Sequence, residues 1–234
     1  MSMDLLAGHP YLLSALLGVP GVLVAIAMAG RHRGSVLLAG LIETLHAPPL
    51  IWFDGSYWTP QRLGGLPVGV EDVIVSFSLG AGVWFAAILP FRRRLDLTGT
   101  WERSLVRLVA IGVGGALLAL PIWLAGAGVM TVLLVVMLVV ALVLGAARPG
   151  LLPLSLAALV LYPAYYVAIL FLAAALDPSF FAIWDGPELW GPRLFGLPIE
   201  EIAFVAMFSI TYPLIVGFAL DARLDKPAAL PLSA

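Results

Sequence analysis

The chain has 234 residues, of which 62% are hydrophobic and only 11% are charged, with a mean hydropathy of +1.07. Soluble domains are about half apolar and about a quarter charged, so this composition excludes an ordinary soluble globule and a disordered chain. The formal net charge of −2 gives no reason to expect nucleic acid as a partner. Because the chain has no cysteine, disulfides, thiolate metal sites and cysteine nucleophiles are excluded as well.

Long apolar stretches predict membrane spans. A helix that crosses the hydrocarbon core needs about 20 mostly apolar residues, and the sequence contains about seven such stretches. In chain order they are Pro10–Gly30, Ser35–Phe53, Val70–Phe91, Ser104–Ala125, Val129–Ala147, Leu151–Leu176 and Ile199–Leu220. We therefore predict an all-α integral membrane protein, followed by a short cytoplasmic tail over residues 222–234.

Basic residues predict the orientation of these spans. If the N-terminus lies outside, only Arg62 and Arg193 of the 12 basic residues lie on the outer side. The others lie at or next to the inner side: Arg31, Arg33, Arg92, Arg93, Arg94, Arg103, Arg107, Arg148, Arg223 and Lys226. This bias predicts a multi-pass protein of the cell (inner) membrane, with the N-terminus outside and the C-terminus cytoplasmic. The segment before Pro10 has Asp4 and no basic residue, which argues against a cleaved signal peptide.

The chain contains an internal repeat. Residues 51–77 read IWFDGSYWTPQRLGGLPVGVEDVIVSF, and residues 183–208 read IWDGPELWGPRLFGLPIEEIAFVAMF. Each copy has Trp, Asp-Gly, a second Trp, Pro, Arg-Leu, Gly-Leu-Pro and an acidic pair that opens an apolar helix. The copies are four helices apart, and an even offset preserves orientation in the membrane. We therefore expect two parallel three-helix repeats, residues 1–103 and 127–221, joined by a fourth helix over residues 104–126.

The acidic pairs, Glu71–Asp72 and Glu200–Glu201, are the main candidates for chemistry. Helix capping is one interpretation, since carboxylates in a first turn gain about 0.3–1 kcal/mol. Adjacent helical residues point about 100° apart, however, so one member of each pair should face the bundle. An ionisable group inside a membrane is by default a functional hypothesis. Burial in an apolar pocket favours a protonated carboxyl that can donate a proton, and a second carboxylate could take one back.

Around these acids we expect an aromatic cavity, whose ring faces would stabilise a positive charge. The aromatic residues placed there are Trp52, Trp58, Phe77, Trp184, Trp190, Phe204 and Phe208. For Trp58 and Trp190, the aromatic belt at the membrane interface is an equal interpretation. Asp54 and Asp185 are second-tier candidates for the site, with an Asp-Gly turn at a helix end as the alternative.

A polar pair stands apart from the repeat. Glu43 lies in the middle of the second predicted span, and His46 follows at i+3 on the same face. The pair could relay a proton as part of the catalytic site, or could be a satisfied polar pair that holds helices together. No metal site is expected, because the other histidines lie far away along the chain.

Further polar side chains fall near the expected site. Arg62 and Arg193 occupy matching positions in the two copies, and could pair with the nearby acids or hold a phosphate. Tyr162, Tyr165 and Tyr166 in the sixth predicted span could face a substrate or simply pack.

The repeated segments GLPVGVEDVIVSF and FGLPIEEIAFVAMF resemble the twice-repeated Pro-x-Glu-Glu motif of the membrane-type, non-flavin lycopene cyclases, in their fused single-chain form. The second copy is close to the motif. The first copy has two extra residues between Pro67 and Glu71, and Asp72 replaces the second Glu. The architecture also resembles the small integral-membrane terpene cyclases of meroterpenoid pathways.

The resemblance implies a carotenoid or terpene cyclase that closes β-type rings on isoprenoid ends without a cofactor. An acid protonates the terminal double bond, a neighbouring alkene attacks the tertiary cation, and a base removes a proton. We expect Glu71 and Glu200 to form the acid–base core, with Asp72 and Glu201 tuning or sharing the proton. The expected partners are a hydrophobic isoprenoid, the lipid bilayer and other carotenoid-pathway enzymes.

Other functions fit parts of this pattern. A membrane terpene cyclase could act on a prenylated aromatic substrate. A small transporter or proton-conducting protein would need a polar path through both leaflets, and a non-catalytic scaffold would use the acidic pairs structurally. A retinal protein is excluded, because the only lysine, Lys226, lies beyond the last predicted helix.

Overall fold

The structure is a computed structural model that describes residues 8–225. Seven of its helices are long and apolar enough to cross a membrane. The α-helices are α1 (Pro10–Met28), α2 (Arg33–Thr44), α3 (Val70–Ile88), α4 (Trp101–Leu124), α5 (Val129–Ala147), α6 (Leu152–Leu176) and α7 (Ile199–Ala219). The all-α membrane fold that the hydropathy predicts is confirmed, whereas Asp4 and Lys226 lie outside the described residues.

The second span is built from more than one helix type. Its α-helix, α2, ends at Thr44, and a 3-10 helix, Pro48–Trp52, completes the crossing. Proline lacks the amide hydrogen that an α-helix needs, so Pro48 and Pro49 account for the change. Glu43 therefore lies in the last turn of α2, inside the bundle rather than at its surface.

The bundle has two distinct ends. The loop end carries the long connections, residues 53–69 and 177–198. The strand end carries β1 (Leu95–Leu97) after α3 and β4 (Ala222–Leu224) after α7, which pair antiparallel with each other. A second small pair, β2 (Arg193–Leu194) and β3 (Leu197–Pro198), lies within the second long loop.

The equivalent segments of the two predicted repeats meet at both ends of the bundle. At the strand end they meet through β1 and β4. At the loop end, Thr59 N donates to Ile183 O at 2.7 Å, and Gly186 N donates to Tyr57 O at 3.3 Å. These contacts agree with parallel repeats, whose exact boundaries stay a prediction.

Glycine lets the helices approach closely where they pack. A Cβ on Gly80 of α3 would lie 2.6 Å from Ala39 O of α2, and one on Gly40 would lie 2.7 Å from the Phe77 ring. Small residues at such crossings are typical of membrane bundles. By contrast, α4 is peripheral, since none of its apolar window is buried inside the protein, compared with 56% for α7.

The helices of the two repeats do not pack symmetrically. The helix α3 packs along α6, whereas the equivalent pair, α2 and α7, has little close backbone contact. These two helices are joined by the hydrogen bond from Tyr212 Oη to Ala39 O at 2.5 Å. The wider separation leaves room for a cavity whose wall includes side chains of both helices.

Candidate active site

A cavity of about 280 Å³ lies among the helices and reaches the loop end. Its wall is formed by α1, α3, α5, α6, α7, the end of α2 and both long loops, and it is mostly apolar. Among the acidic residues predicted for the site, Glu201 and Glu43 line this cavity, whereas the other members of the two acidic pairs do not.

Glu201 projects from the first turn of α7 and is held by neutral hydrogen-bond donors. Its Oε1 accepts hydrogen bonds from Tyr57 Oη at 3.1 Å and Trp184 Nε1 at 3.0 Å. Its Oε2 accepts one from Tyr166 Oη at 2.8 Å. Burial, and then the adjacent Glu201 carboxylate, raise the pKa of Tyr57 above its ordinary value, so this phenol remains a donor. Within residues 8–225, no basic side chain forms an ion pair with Glu201.

An aromatic row continues from Glu201 along the same face of α7. The rings of Phe204 and Phe208 stack with their centroids 5.5 Å apart, and those of Phe208 and Tyr212 with their centroids 4.9 Å apart. Tyr166 completes the row from α6, with its ring 6.4 Å from Phe204. Steps of three and four residues place side chains on one helix face. The cavity thus has a carboxyl group beside a wall of ring faces that can stabilise a cation.

The second member of the first pair, Asp72, is neutralised by an arginine. Arg62 Nε donates to Asp72 Oδ2 at 2.7 Å, and both side chains are buried. Tyr11 Oη donates to Asp72 Oδ1 at 3.0 Å, and Gly69 N donates to Oδ2 at 2.7 Å. Arg62 also binds Asp54 at 2.9 Å. Asp72 is therefore part of a closed ion-pair network outside the cavity wall.

The first members of the two pairs hold loop backbone. Glu71 Oε1 accepts a hydrogen bond from Leu63 N at 2.7 Å, and Glu200 Oε1 accepts one from Trp190 N. The Oε2 atoms of both residues are buried and have no hydrogen-bond partner among the described residues. Both glutamates therefore tie a long loop to the helix that follows it.

The arginines at matching positions in the two copies have different partners. Burial opposes the charge of Arg62, but its hydrogen bond to Asp72 and that carboxylate's charge raise the pKa of the guanidinium above its ordinary value. Arg193 instead donates to two backbone carbonyls, Trp184 O and Gly196 O. The second copy therefore has no arginine on its acidic pair.

Glu43 and His46 form a separate polar pair in the cavity wall. His46 Nδ1 lies 3.2 Å from Glu43 Oε2, and the Glu43 side chain is only 10% exposed. Glu43 and Tyr212 both pack around Gly80. Tyr212 follows Glu201 by eleven residues in α7, which corresponds to about 16 Å along the helix axis. Glu43 and His46 therefore line the same cavity as Glu201, on the part of its wall that contains Tyr212.

Residues 128–219 match the family model described as lycopene cyclase. Over this region the chain is similar to the lycopene cyclases. The match covers α5, α6 and α7 and therefore includes Glu201, and it supports carotenoid cyclisation by a multi-pass membrane enzyme as the general activity. No curated protein and no solved structure matches the chain.

The aromatic residues predicted for the site divide between the cavity and its surroundings. Those that line the cavity are Trp58, Trp184, Phe204 and Phe208. Trp52 is 71% exposed on the outer side of the 3-10 helix, and Phe77 turns toward Gly40 instead. Trp190 is half-exposed and donates to Thr131 Oγ1 at 3.1 Å, which suits a position at the membrane interface.

The aspartates of the two Asp-Gly segments lie outside the cavity wall. Asp54 accepts a hydrogen bond from Arg62, and Gly55 after it has a φ of +73°, as a turn requires. Asp185 accepts a hydrogen bond from Thr59 Oγ1 at 2.6 Å and so joins the two loops. In the described part of the chain, no three histidine or carboxylate side chains are grouped as metal ligands would be.

Two residues of the site are absent from the sequence-based candidates. Tyr57 comes from the loop of the first repeat and reaches Glu201 of the second, and Tyr11 of α1 reaches Asp72. A signal for Tyr57 exists in the repeat itself, since the residue before the second Trp is Tyr57 in one copy and Leu189 in the other. The candidate site therefore draws on both halves of the chain.

Proposed function

We propose that this chain closes a ring on one end of a linear isoprenoid, such as lycopene, with Glu201 as the carboxyl group that moves the proton. One observation carries the proposal: Glu201 is the member of the two acidic pairs that lines an apolar cavity, and within residues 8–225 it has no paired cation. The match of the lycopene cyclase family to the same region supports the substrate class.

The reaction that we infer is redox-neutral. Protonated Glu201 transfers its proton to the terminal carbon–carbon double bond, which forms a C–H bond and a tertiary cation. The next double bond attacks this cation, forms the ring C–C bond and leaves a second tertiary cation in the ring. Loss of a proton from the neighbouring carbon restores a double bond. Hydrogens and electrons balance, so the product is an isomer of the substrate and no electron carrier is consumed.

Glu201 is suited to serve as both acid and base. The donors Tyr57, Tyr166 and Trp184 stabilise the carboxylate that remains when the proton leaves. The carbon that gains the proton and the carbon that loses one are bonded to the same ring atom, so a single carboxyl group can reach both. Glu43 packs beside Tyr212, which is eleven residues beyond Glu201 in α7, so we assign the role of base to Glu201 rather than to Glu43.

The aromatic row supports the cationic stage of this chemistry. Tyr166, Phe204 and Phe208 form an aromatic row that begins next to Glu201, where the tertiary cations would form. A cation over an aromatic face gains about 0.5–2 kcal/mol, the larger values applying away from water. The apolar wall also keeps water from capturing the cation.

We also propose that the loop end faces outward and the strand end faces the cytoplasm. Nine arginines of the described chain lie at or near the strand end, and only Arg62 and Arg193 lie at the loop end. Under the positive-inside rule this places Glu201 under the outer leaflet.

The proposal is tested by expressing the chain in a bacterium that makes lycopene and analysing the extracted pigments by chromatography and mass spectrometry. A cyclic carotenoid with the mass of lycopene is expected, and membranes incubated with preformed, unlabelled lycopene in heavy water should add one deuterium per ring. If lycopene remains linear while the protein is present in the membrane, carotenoid cyclisation is rejected and linear prenylated aromatics are the next substrates. Proton flux through proteoliposomes without any product would favour a transporter instead.

A further inference from the structure

Three arginines converge on one carboxylate at the strand end, far from the cavity. Asp221 lies just after α7, and Arg148 Nη2 donates to its Oδ1 at 2.5 Å. Arg223 Nη2 donates to Asp221 Oδ2 at 3.0 Å, and Arg107 Nη1 lies 3.6 Å from Oδ1. The three arginines come from α4, from the connection between α5 and α6, and from β4.

The charges in this cluster do not cancel. The hydrogen bond from Arg148 lowers the pKa of Asp221, with smaller contributions from Thr98 and Arg223, so the carboxylate stays ionised at neutral pH. Three guanidinium groups thus surround one carboxylate. Asp96 lies opposite Arg223 in the strand pair, but its ion pair is with Arg31. The contacts within the cluster therefore leave an excess of positive charge.

Two of the arginines have N–H donors without an acceptor among residues 8–225. A guanidinium group has about five N–H donors, and Arg148 and Arg223 each use one of them on Asp221. Arg107 is more fully engaged, since it also donates to Phe218 O at 2.7 Å and packs on that ring. Arg223 is largely exposed, so its remaining N–H groups face the surroundings.

A groove of about 390 Å³ lies beside these donors. It is lined by Arg148, Gly150, Leu151, Ala222, Arg223 and Leu224. Along α6, which begins at this groove, Leu152 and Leu156 are exposed on the outside of the bundle. The groove therefore places arginine donors next to an apolar strip that runs into the membrane.

We propose that this groove binds the phosphate of an anionic lipid headgroup, with Arg148 and Arg223 as its ligands. Guanidinium groups bind phosphate oxygens through paired N–H donors, and basic pockets between membrane helices are suited to lipid headgroups. The acyl chains would lie along Leu152 and Leu156. The proposal is independent of the cyclisation chemistry, because the groove is at the opposite end of the bundle from Glu201.

The test measures binding of dansyl-labelled phosphatidylglycerol to the full-length purified chain in detergent, by energy transfer from tryptophan. Unlabelled phosphatidylglycerol, phosphatidylcholine and inorganic phosphate serve as competitors. The variants are R223Q, the double variant R148Q/R223Q and D221N. R93Q is the matched control, because Arg93 is an exposed strand-end arginine with no hydrogen bond or ion pair to any described residue.

We expect R223Q to weaken binding about fivefold and the double variant about 25-fold, with R93Q unchanged. D221N should strengthen binding about fivefold, because it removes the competing carboxylate. Competition by phosphatidylglycerol alone assigns the site to lipid, and competition by inorganic phosphate as well assigns it to the phosphate group from either source. Equal competition by phosphatidylcholine, or an equal loss in R93Q and R223Q, would overturn the proposal. Circular dichroism and gel filtration identify any variant that fails to fold. If the double variant or D221N fails to fold, the comparison of R93Q with R223Q still tests the proposal.

Discussion

The two acidic pairs share a sequence motif but differ in what surrounds them. Their first members, Glu71 and Glu200, each bind a loop amide and have no place in the cavity wall. Of the second members, Asp72 forms a buried ion pair with Arg62, whereas Glu201 is held by two phenols and an indole at the edge of the cavity. An arginine thus pairs with the carboxylate in one copy, whereas the carboxyl group in the other copy has only neutral hydrogen-bond donors among the described residues.

This difference shows that a duplicated motif need not make a duplicated site. The first copy stabilises the loop end, and the second faces the cavity. The first copy still contributes to the site in the second copy, because Tyr57 from its loop donates a hydrogen bond to Glu201. If one cavity serves each chain, a substrate with two identical ends must be released and turned before its second ring can form.

The largest expected effect is on catalysis at the second pair. Glu201→Gln keeps the size of the side chain but removes the ionisable proton, so we expect cyclic product per folded protein to fall about 100- to 10,000-fold. Product is measured by chromatography of pigments and protein by immunoblot of the membranes. Full activity in this variant would remove Glu201 from the mechanism.

The next effect is on stability at the first pair. Asp72→Asn leaves Arg62 buried with Asp54 as its remaining carboxylate, and breaking a buried ion pair costs about 3–5 kcal/mol. Thermal unfolding in detergent should therefore shift to a lower temperature, while product per folded molecule is retained. Asp54→Asn is the matched control, because its partly exposed carboxylate contributes at most about 1 kcal/mol. A stable but inactive Asp72→Asn protein would contradict this expectation and would show that the first pair takes part in catalysis.

The neutral donors to Glu201 should have intermediate effects. Tyr57→Phe and Tyr166→Phe each remove one hydrogen bond to this carboxyl group, which corresponds to about a 10- to 100-fold loss of activity. Tyr165→Phe is the control, because Tyr165 lines the cavity but donates to Gly18 O instead. Initial rates with purified protein would show whether the losses follow this division. Equal losses of activity in all three variants would indicate that the tyrosines act by packing in the cavity wall rather than by hydrogen bonding to Glu201.

The smallest effect is expected at the polar pair in the middle of the bundle. Glu43→Gln should change the rate by less than about tenfold, because Glu201 is proposed both to give and to take the proton, which leaves no proton transfer to Glu43. The same initial-rate assay checks this expectation. A loss as large as that in Glu201→Gln would move the reacting end of the substrate toward Glu43 and His46.

Much of the fold follows from hydropathy alone. All seven predicted spans correspond to helices, because bilayer thickness and backbone hydrogen bonding leave a long apolar segment few alternatives. The break in the second span at Thr44 also has a local cause in the two prolines that follow. The sequence contains no comparable local signal for the pairing of β1 with β4, because this pairing depends on where two helices that are distant along the chain end.

The candidate site is predictable only in part. The motif identifies the acidic pairs, and the helix repeat implies that one member of each should face inward. The motif does not say which member of the second pair faces inward, because α7 is apolar on every side and its hydropathy has no preferred face. The pairing of Arg62 with Asp72 and the reach of Tyr57 to Glu201 are tertiary contacts, and Tyr57 and Glu201 are 144 residues apart.

The most direct measurement compares Glu201→Gln with Asp72→Asn in the same lycopene-producing cells, as cyclic product per folded protein. If only the second pair handles the proton, Asp72→Asn retains most of the wild-type value and Glu201→Gln loses at least about 100-fold. The reverse order, or equal losses in both variants, would contradict the division of labour between the two repeats.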